Sequence, residues 1–320
     1  MSYGFSGHIG YAKETGWGSG TVVTSGDYIE ALSEDLTLSI ERFGYKAIIG
    51  SLSEPDDATG LFRVAGGIRF AANPMWLLPF LKSNLQSVVS TSGTGPLYAH
   101  AFQTTSGGAD FSSAVPNQPY SFEIFRDIGT SMRYTGCLID TLAFTFSSDG
   151  PVMCEAGVLG KDAEAIAKTT PTFVTSPAKP FNFDTVSLSL GGAGTALIET
   201  LTVTINNNFE GLGALALSNR ISKVRRSNHQ MVEVRGTLDF TDNAEYQKFV
   251  DQTEQRIAIN ATRAASFAML IDIPRLVYTA FPVGIPGRER ITVDFTGKGF
   301  VHQGSGLALK LTLTSVQSLK

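Results

Sequence analysis

The sequence predicts a mainly β protein made of two tandem β-sandwich units, each carrying one short helix, with long loops and an N-terminal arm. Three observations predict it: apolar and polar residues alternate with period two, few stretches show a helical period, and one order of elements occurs twice. The alternation is plain in Leu36-Thr37-Leu38-Ser39-Ile40, Leu142-Ala143-Phe144-Thr145-Phe146, Val186-Ser187-Leu188-Ser189-Leu190, Leu201-Thr202-Val203-Thr204-Ile205 and Leu307 to Leu313. Successive side chains on a strand point to opposite faces, so each segment has one apolar face and reads as a half-buried antiparallel strand. Clusters of Gly, Pro, Asn and Ser separate the segments.

The repeat has three ordered blocks. Leu36 to Ile40 matches Leu201 to Ile205. Gly66, Ile68, Phe70, Asn73, Trp76 and Phe80 match Gly236, Leu238, Phe240, Asn243, Tyr246 and Val250 without a gap. Cys154, Ala156, Val158, Gly160 and Lys161 match Ile291, Val293, Phe295, Gly297 and Lys298. Ordered self-similarity of this kind marks a tandem duplication. In the second block the period changes from strand to helix. Asn73 suits an N-cap and Pro74 the first helical position, while Pro79 shortens the first helix, because an interior proline removes a hydrogen bond. In the second copy Asp242 caps and Glu245 stands at capping-box spacing, with Tyr246, Phe249 and Val250 on one face. The chain divides into an arm at 1–30, a first unit at 31–162, a linker at 163–180 and a second unit at 181–320. The first unit alone carries a Gly-, Ser- and Thr-rich insertion at about 82–120, a candidate long loop or hairpin.

Composition narrows the function classes. With 42% hydrophobic and 17% charged residues in 320, the chain can bury a core and lacks the composition of a disordered one. Its formal net charge of −4 lacks the basic excess that gripping nucleic acid requires. The start, Met1 to Gly7, shows no basic region followed by an apolar one. The densest apolar stretch, Met75 to Leu81, is far shorter than the roughly 20 residues of a spanning helix, so no membrane insertion is expected. Cys137 and Cys154 read as buried free thiols.

No chemistry stands out. His8, His100, His229 and His302 have no metal-ligand spacing with each other, with Cys or with carboxylates. Gly160-Lys161 and Gly297-Lys298 are not phosphate loops, since Glu155 and Thr292 occupy the place of the leading glycine; their recurrence suggests a turn that needs positive φ. Gly191-Gly192-Ala193-Gly194 lies between two strand-like segments and reads as a hairpin turn. No nucleophile elbow or acid/base signature occurs. The expectation is a non-enzyme with no catalytic residue, cofactor or metal.

Assembly fits better. A chain with many alternating strands and no visible closure must cover its edges or pair them with another chain. The Gly-rich arm through Gly20 buries little alone and is a candidate to order on a neighbour. The loops after the first strand of each copy differ in charge: Phe43 to Leu61 contains Glu54, Asp56 and Asp57, whereas Asn206 to Gln230 contains Arg220, Lys223, Arg225 and Arg226. Opposite charge at equivalent places makes these seven residues candidate contacts between stacked subunits, fixing register more than affinity. Charge reversal at Arg225 and Arg226 is expected to impair polymerisation of a folded monomer.

Several segments resemble the tail tube protein family of long-tailed, siphovirus-type bacteriophages in a duplicated tube-domain form: Gly4 to Gly10 followed by Trp17-Gly18, Arg133-Tyr134-Thr135-Gly136-Cys137, Leu159-Gly160-Lys161-Asp162, and Thr204-Ile205-Asn206-Asn207-Asn208-Phe209-Glu210. The resemblance implies a structural virion protein, the major tail tube subunit. It implies stacked rings forming a hollow conduit from capsid to host, with inner strands of neighbours joined into one barrel. Double-stranded DNA passes through without specific binding. Implied partners are further copies of the chain and the tape measure, tail terminator and distal tail proteins; implied localisation is the virion tail, assembled in the bacterial cytoplasm. If each copy is one tube domain, three chains supply six domains, a trimer with pseudo-sixfold symmetry rather than a hexamer. The inner tube of a contractile injection system and a carbohydrate-binding β-sandwich are the alternatives.

Overall fold

Alternating segments of this kind become strands, and they account for most of the chain. The computed structural model describes residues 3–317 apart from 25–26, 46, 49, 51, 54–55, 93–96, 105–109, 112–116, 174–177, 195–196, 216–217, 286 and 289. In the first half the elements are β1 (His8–Lys13), β2 (Tyr28–Ile29), β3 (Ala31–Glu34), β4 (Thr37–Gly44), β5 (Asp57–Ala71), helix α1 (Leu78–Asn84), β6 (Gln86–Ser92), β7 (Tyr98–Gln103), β8 (Asp110–Phe111), β9 (Tyr120–Phe125), β10 (Ser131–Ser147), β11 (Met153–Gly160) and β12 (Asp162–Ile166). The second half has β13 (Val186–Leu190), β14 (Ala193–Gly194), β15 (Ile198–Asn206), β16 (Phe209–Leu212), β17 (Lys223–Arg226), β18 (Met231–Asp239), helix α2 (Ala244–Val250), β19 (Gln255–Ala264), β20 (Phe267–Ala280), β21 (Thr292–Gly299) and β22 (Lys310–Ser315). The fold is mainly β, with large antiparallel sheets and two short helices.

Both halves pair their strands in one order. In the first, β1, β9, the beginning of β10 and β12 lie side by side, and β4, β5, β11 and the end of β10 form a second row. In the second, β13, β19, the beginning of β20 and β22 repeat the first row, and β15, β18, β21 and the end of β20 repeat the second. The registers repeat as well. Leu38 faces Val64 as Val203 faces Val234, Ile40 faces Phe62 as Ile205 faces Val232, and Gly66 faces Val158 as Gly236 faces Phe295. A one-residue slip would turn every apolar side chain to the wrong face, so both copies hold the same register.

The recurring Gly66 and Gly236 have a packing reason. A Cβ at Gly66 would meet the Asp35 carbonyl oxygen at 2.6 Å, and one at Gly236 the Thr200 carbonyl oxygen at 2.7 Å, equivalent atoms of the two copies. Gly160 and Gly297, expected to need positive φ, do not have it. They sit within β11 and β21, where a Cβ would stand 3.0 Å from Val64 and 3.1 Å from Leu276. Close approach of neighbouring strands selects glycine there. Gly191 and Gly192, with φ of 61° and 87°, close the two-residue hairpin between β13 and β14.

The halves are joined by a ladder. The end of β10 pairs with β15 from Thr141 opposite Asn206 to Ser147 opposite Thr200, giving one antiparallel row in the order β4, β5, β11, β10, β15, β18, β21. Followed pair by pair among the described residues, the ladders branch at β10 and β20 and never return to their first strand, so they form an open network with edges and not a closed barrel. A single apolar core runs under both halves.

Several segments lie differently from the expected boundaries. Residues 8–13 do not stand off as an arm; β1 pairs along its whole length with β9, and His8, Ile9 and Gly10 are buried. Residues 163–166 of the expected linker belong to β12, on the edge of β10. The insertion forms the β6–β7 hairpin, and β7 pairs with β22 of the other half. Helix α1 begins after a turn at Asn73, so Pro79 falls in its first turn, where no donor is lost. At α2, Asp242 accepts the Ala244 amide at 2.8 Å, while Glu245 turns away from the cap to the Tyr278 hydroxyl at 2.8 Å.

Candidate assembly surfaces

The seven-stranded row has one apolar face in the core and one polar face open to solvent. Across that face a line of directly paired residues runs Arg69, Glu155, Ala143, Thr204, Glu233, Lys298, crossing both halves. Thr145, Thr202 and Arg235 form the adjacent line. The face is rich in hydroxyls and carries both signs of charge, so no basic stripe is available to grip phosphate.

Beside the β10–β15 junction a buried polar cluster fixes how the halves meet. Asn207 donates to the carbonyls of Asn84 (2.9 Å) and Ile139 (3.2 Å) and accepts from Arg226 (3.1 Å) and Gln230 (2.8 Å). Asn117 donates to the carbonyls of Ser83 and Asn84, both at 2.8 Å. Asp140, the bulged residue of β10, accepts the Phe209 amide at 2.7 Å. Burial pushes the Asp140 carboxyl above the ordinary range, partly offset by the Phe209 amide and Arg226; burial lowers Arg226, partly offset by Asp140. Satisfied side-chain amides hold a unique geometry, and breaking one strands its partners.

The outer edge of β4 has no strand against it among the described residues, and its burial pattern is almost wholly exposed. Ile40 is 45% exposed, whereas its counterpart Ile205 in β15 is fully buried.

Three of the segments that carried the family resemblance, those of Trp17-Gly18, Gly136 and Lys161, meet in space. Glu14, almost fully buried, accepts the amides of Gly18 (2.7 Å) and Gly136 (2.8 Å) and the Ser121 hydroxyl (2.7 Å), and the Trp17 indole donates to the Gly136 carbonyl at 2.9 Å. Lys161 lies over the Trp17 ring at 4.7 Å. These motifs are therefore a clasp holding the N-terminal segment to β10 and β11. A family model described as phage tail tube protein matches residues 4–299. The chain belongs to the phage tail tube protein family. Among curated proteins nothing matches it. Membership makes it a structural component of the phage tail that assembles with itself and with other tail proteins.

The candidate loop residues of this tail tube protein are dispersed. Glu54 lies outside the described residues. Asp57 pairs with Arg42 at 2.7 Å in its own hairpin, and Asp56 is exposed beside it. Arg220 is committed within the chain, 2.6 Å from Asp162 and over the Phe62 ring at 4.2 Å. Arg226 belongs to the buried cluster. Lys223 is half-buried and Arg225 exposed, on β17, which pairs with β16 and β8. The second copy's loop thus docks on the first half, through Phe209, Ile221 and Val224 against Leu138, Leu61 and Leu159. Sequence reasoning missed Asn84, Asn117, Asn207 and Glu14; the Asn206-Asn207-Asn208 run was the one visible signal. Among the described residues no three His, Cys, Asp or Glu side chains gather to hold a metal, and no helix is long and apolar enough to cross a membrane. Cys137 and Cys154 are buried, and burial pushes both thiols up.

Proposed function

We propose that this tail tube protein is the major tube subunit of a long-tailed, siphovirus-type phage, assembled in the host cytoplasm. Each half acts as one tube domain, at about 31–162 and 181–320, and three chains close a ring of six domains. Rings stack into a hollow tube through which double-stranded DNA passes without specific binding; the tape measure protein would occupy the lumen and terminator and distal tail proteins the ends. The observation that carries this reading is the β10–β15 ladder, by which one half already extends the sheet of the other in a shared register, while β4 presents the same edge with no strand on it among the described residues. Exposed edges of this kind call for pairing. The hydroxyl-rich polar face is the proposed lumen wall, since mixed charges with no basic stripe let DNA slide. For contacts between rings, Asp56 and Arg225 are the residues of choice because both are exposed; Arg220 and Arg226 are half-buried.

Negative-stain electron microscopy of the purified protein, with native mass measurement of the smallest closed species, tests the reading. Hollow rings or tubes of three-chain repeat support it. A six-chain ring keeps the tube and rejects the trimer, and a monomer that stays monomeric at high concentration rejects both.

A further inference from the structure

We propose that residues 282–285 of one chain form a strand against β4 of a second copy, in the register that β10 and β15 adopt within a chain. This rests on the ring reading above and adds the segment, its register and the reason a single chain leaves it unpaired.

In the first half the end of β10 covers the outer edge of β11. In the second half the corresponding edge of β21 has no strand on it from Thr292 to Phe295 among the described residues, because β20 stops at Ala280 and residues 281–285 are coil. Ala280 faces Thr296 as Leu138 faces Leu159. Counting on, with the bulged Asp140 set aside, Val283 and Ile285 take the places of Leu142 and Phe144. Pro282 and Gly284 take those of Thr141 and Ala143.

Apolar complementarity supports that placement. Leu142 and Phe144 are buried, whereas Val283 and Ile285 are 43% and 82% exposed. On β4, the exposed Ile40 and half-buried Leu38 stand where Ile205 and Val203 are covered. The internal register sets Val283 opposite Ile40 of the neighbour and Ile285 opposite Leu38. Three exposed apolar side chains of each chain, Ile40, Val283 and Ile285, and the half-buried Leu38 would then cover one another.

Backbone donors give the sharper support. The Ser148 amide donates to the Glu199 carbonyl at 3.1 Å and the Asn207 amide to the Asp140 carbonyl at 2.9 Å, so the even-numbered residues of this part of β10 turn their backbone groups to β15 and the odd-numbered ones to β11. Carried over, Val283 and Ile285 turn toward the neighbour's β4 with every donor present. Pro282 turns toward β21 and has no donor to give it. A segment that cannot complete its ladder on β21 stays coil in the single chain. It orders once a second copy supplies the other side.

Disulfide trapping tests the register. Ser39→Cys with Gly284→Cys reproduces across chains the internal pair Thr204 and Ala143, and a side chain at 284 meets nothing within 4 Å. The native Cys137 and Cys154 are buried. Oxidation of the assembled double variant should link chains to one another, Ala143→Cys with Thr204→Cys should link only within a chain, and Ser39→Cys with Ile285→Cys should link neither. As a measurement on the unaltered protein, amide exchange at Val283 and Ile285 should slow by about tenfold or more on assembly. Rings that form with no 39–284 link and no slowing at 283 and 285 overturn this inference and leave the ring reading standing. Failure of the unaltered protein to form rings at all overturns both.

Discussion

The clearest lesson comes from setting β4 beside β15. Leu36 to Ile40 and Leu201 to Ile205 share the same apolar-Thr-apolar-hydroxyl-Ile sequence and face their partners in the same register, yet β15 buries Leu201, Val203 and Ile205 while β4 leaves Ile40 exposed. Nothing intrinsic to the strands accounts for this. The difference is the neighbour: β15 has β10 along its outer edge and β4 has none among the described residues. A strand built to be interior but left at a border is a strand awaiting another chain, because an apolar, unpaired edge is otherwise an aggregation hazard.

The comparison is tested hardest by putting the same charge into both strands. Ile205→Asp buries an unpaired carboxylate and should cost on the order of 4 kcal/mol or more, seen as loss of the cooperative thermal transition or a large drop in Tm. Ile40→Asp should change the monomer's stability by no more than about 0.5 kcal/mol. Equal losses in the two variants would mean that β4 is covered within the chain after all.

Next come the arginines of the second copy's loop. Arg226→Glu sets a carboxylate against Asp140 and the Asn207 carbonyl oxygen and should cost about 3 kcal/mol by chemical denaturation. Arg225→Glu, on the exposed face of β17, should cost less than about 0.5 kcal/mol. Charge reversal at both sites together is therefore no clean test of ring contacts, contrary to the expectation from sequence; Arg225→Glu alone is.

The repeated glycines offer a smaller test, with Gly66 the more sensitive of the two because it alone also has a φ of 150°. Gly66→Ala and Gly236→Ala each force a Cβ against a carbonyl oxygen and should each cost about 1–3 kcal/mol by urea denaturation. A harmless substitution at either site would break the equivalence of the two copies at that point.

The smallest effect is at His8, packed against Tyr28 and Phe125. Burial lowers its pKa from 6.5, Glu123 raises it and Lys168 lowers it further. The unfolded chain therefore takes up the proton first, so stability is full above pH 6.5 and is lost as pH falls through that value toward the folded pKa. Replacing the imidazole by His8→Phe should flatten this part of the acid slope in urea midpoints measured at about pH 7.5 and about pH 5.5.

Much of the fold was legible because period-two patterning is set by which face is buried. The three repeat blocks, read from Leu36, Gly66 and Cys154 onward, coincide with strand pairs in identical register. The first strand was not legible: His8 to Lys13 is short and glycine-flanked, and its burial comes from β9, more than a hundred residues away. The polar cluster was equally hidden, since Asn84, Asn117 and Asn207 gain meaning only when three distant segments converge. Gly160 and Gly297 were recognised as special for the wrong physical reason, because a sequence does not distinguish a glycine chosen for its φ from one chosen for closeness. The charged loops misled in part: charge signs were visible, but the partners that use up Arg220 and Arg226 were not.

Sedimentation velocity of the Ile40→Asp chain beside the unaltered one tests the central claim most directly. With an open border completed by other copies, the unaltered chain sediments as rings and longer species while the variant remains a folded monomer. A variant that assembles as readily as the unaltered chain would show that β4 is no part of the join.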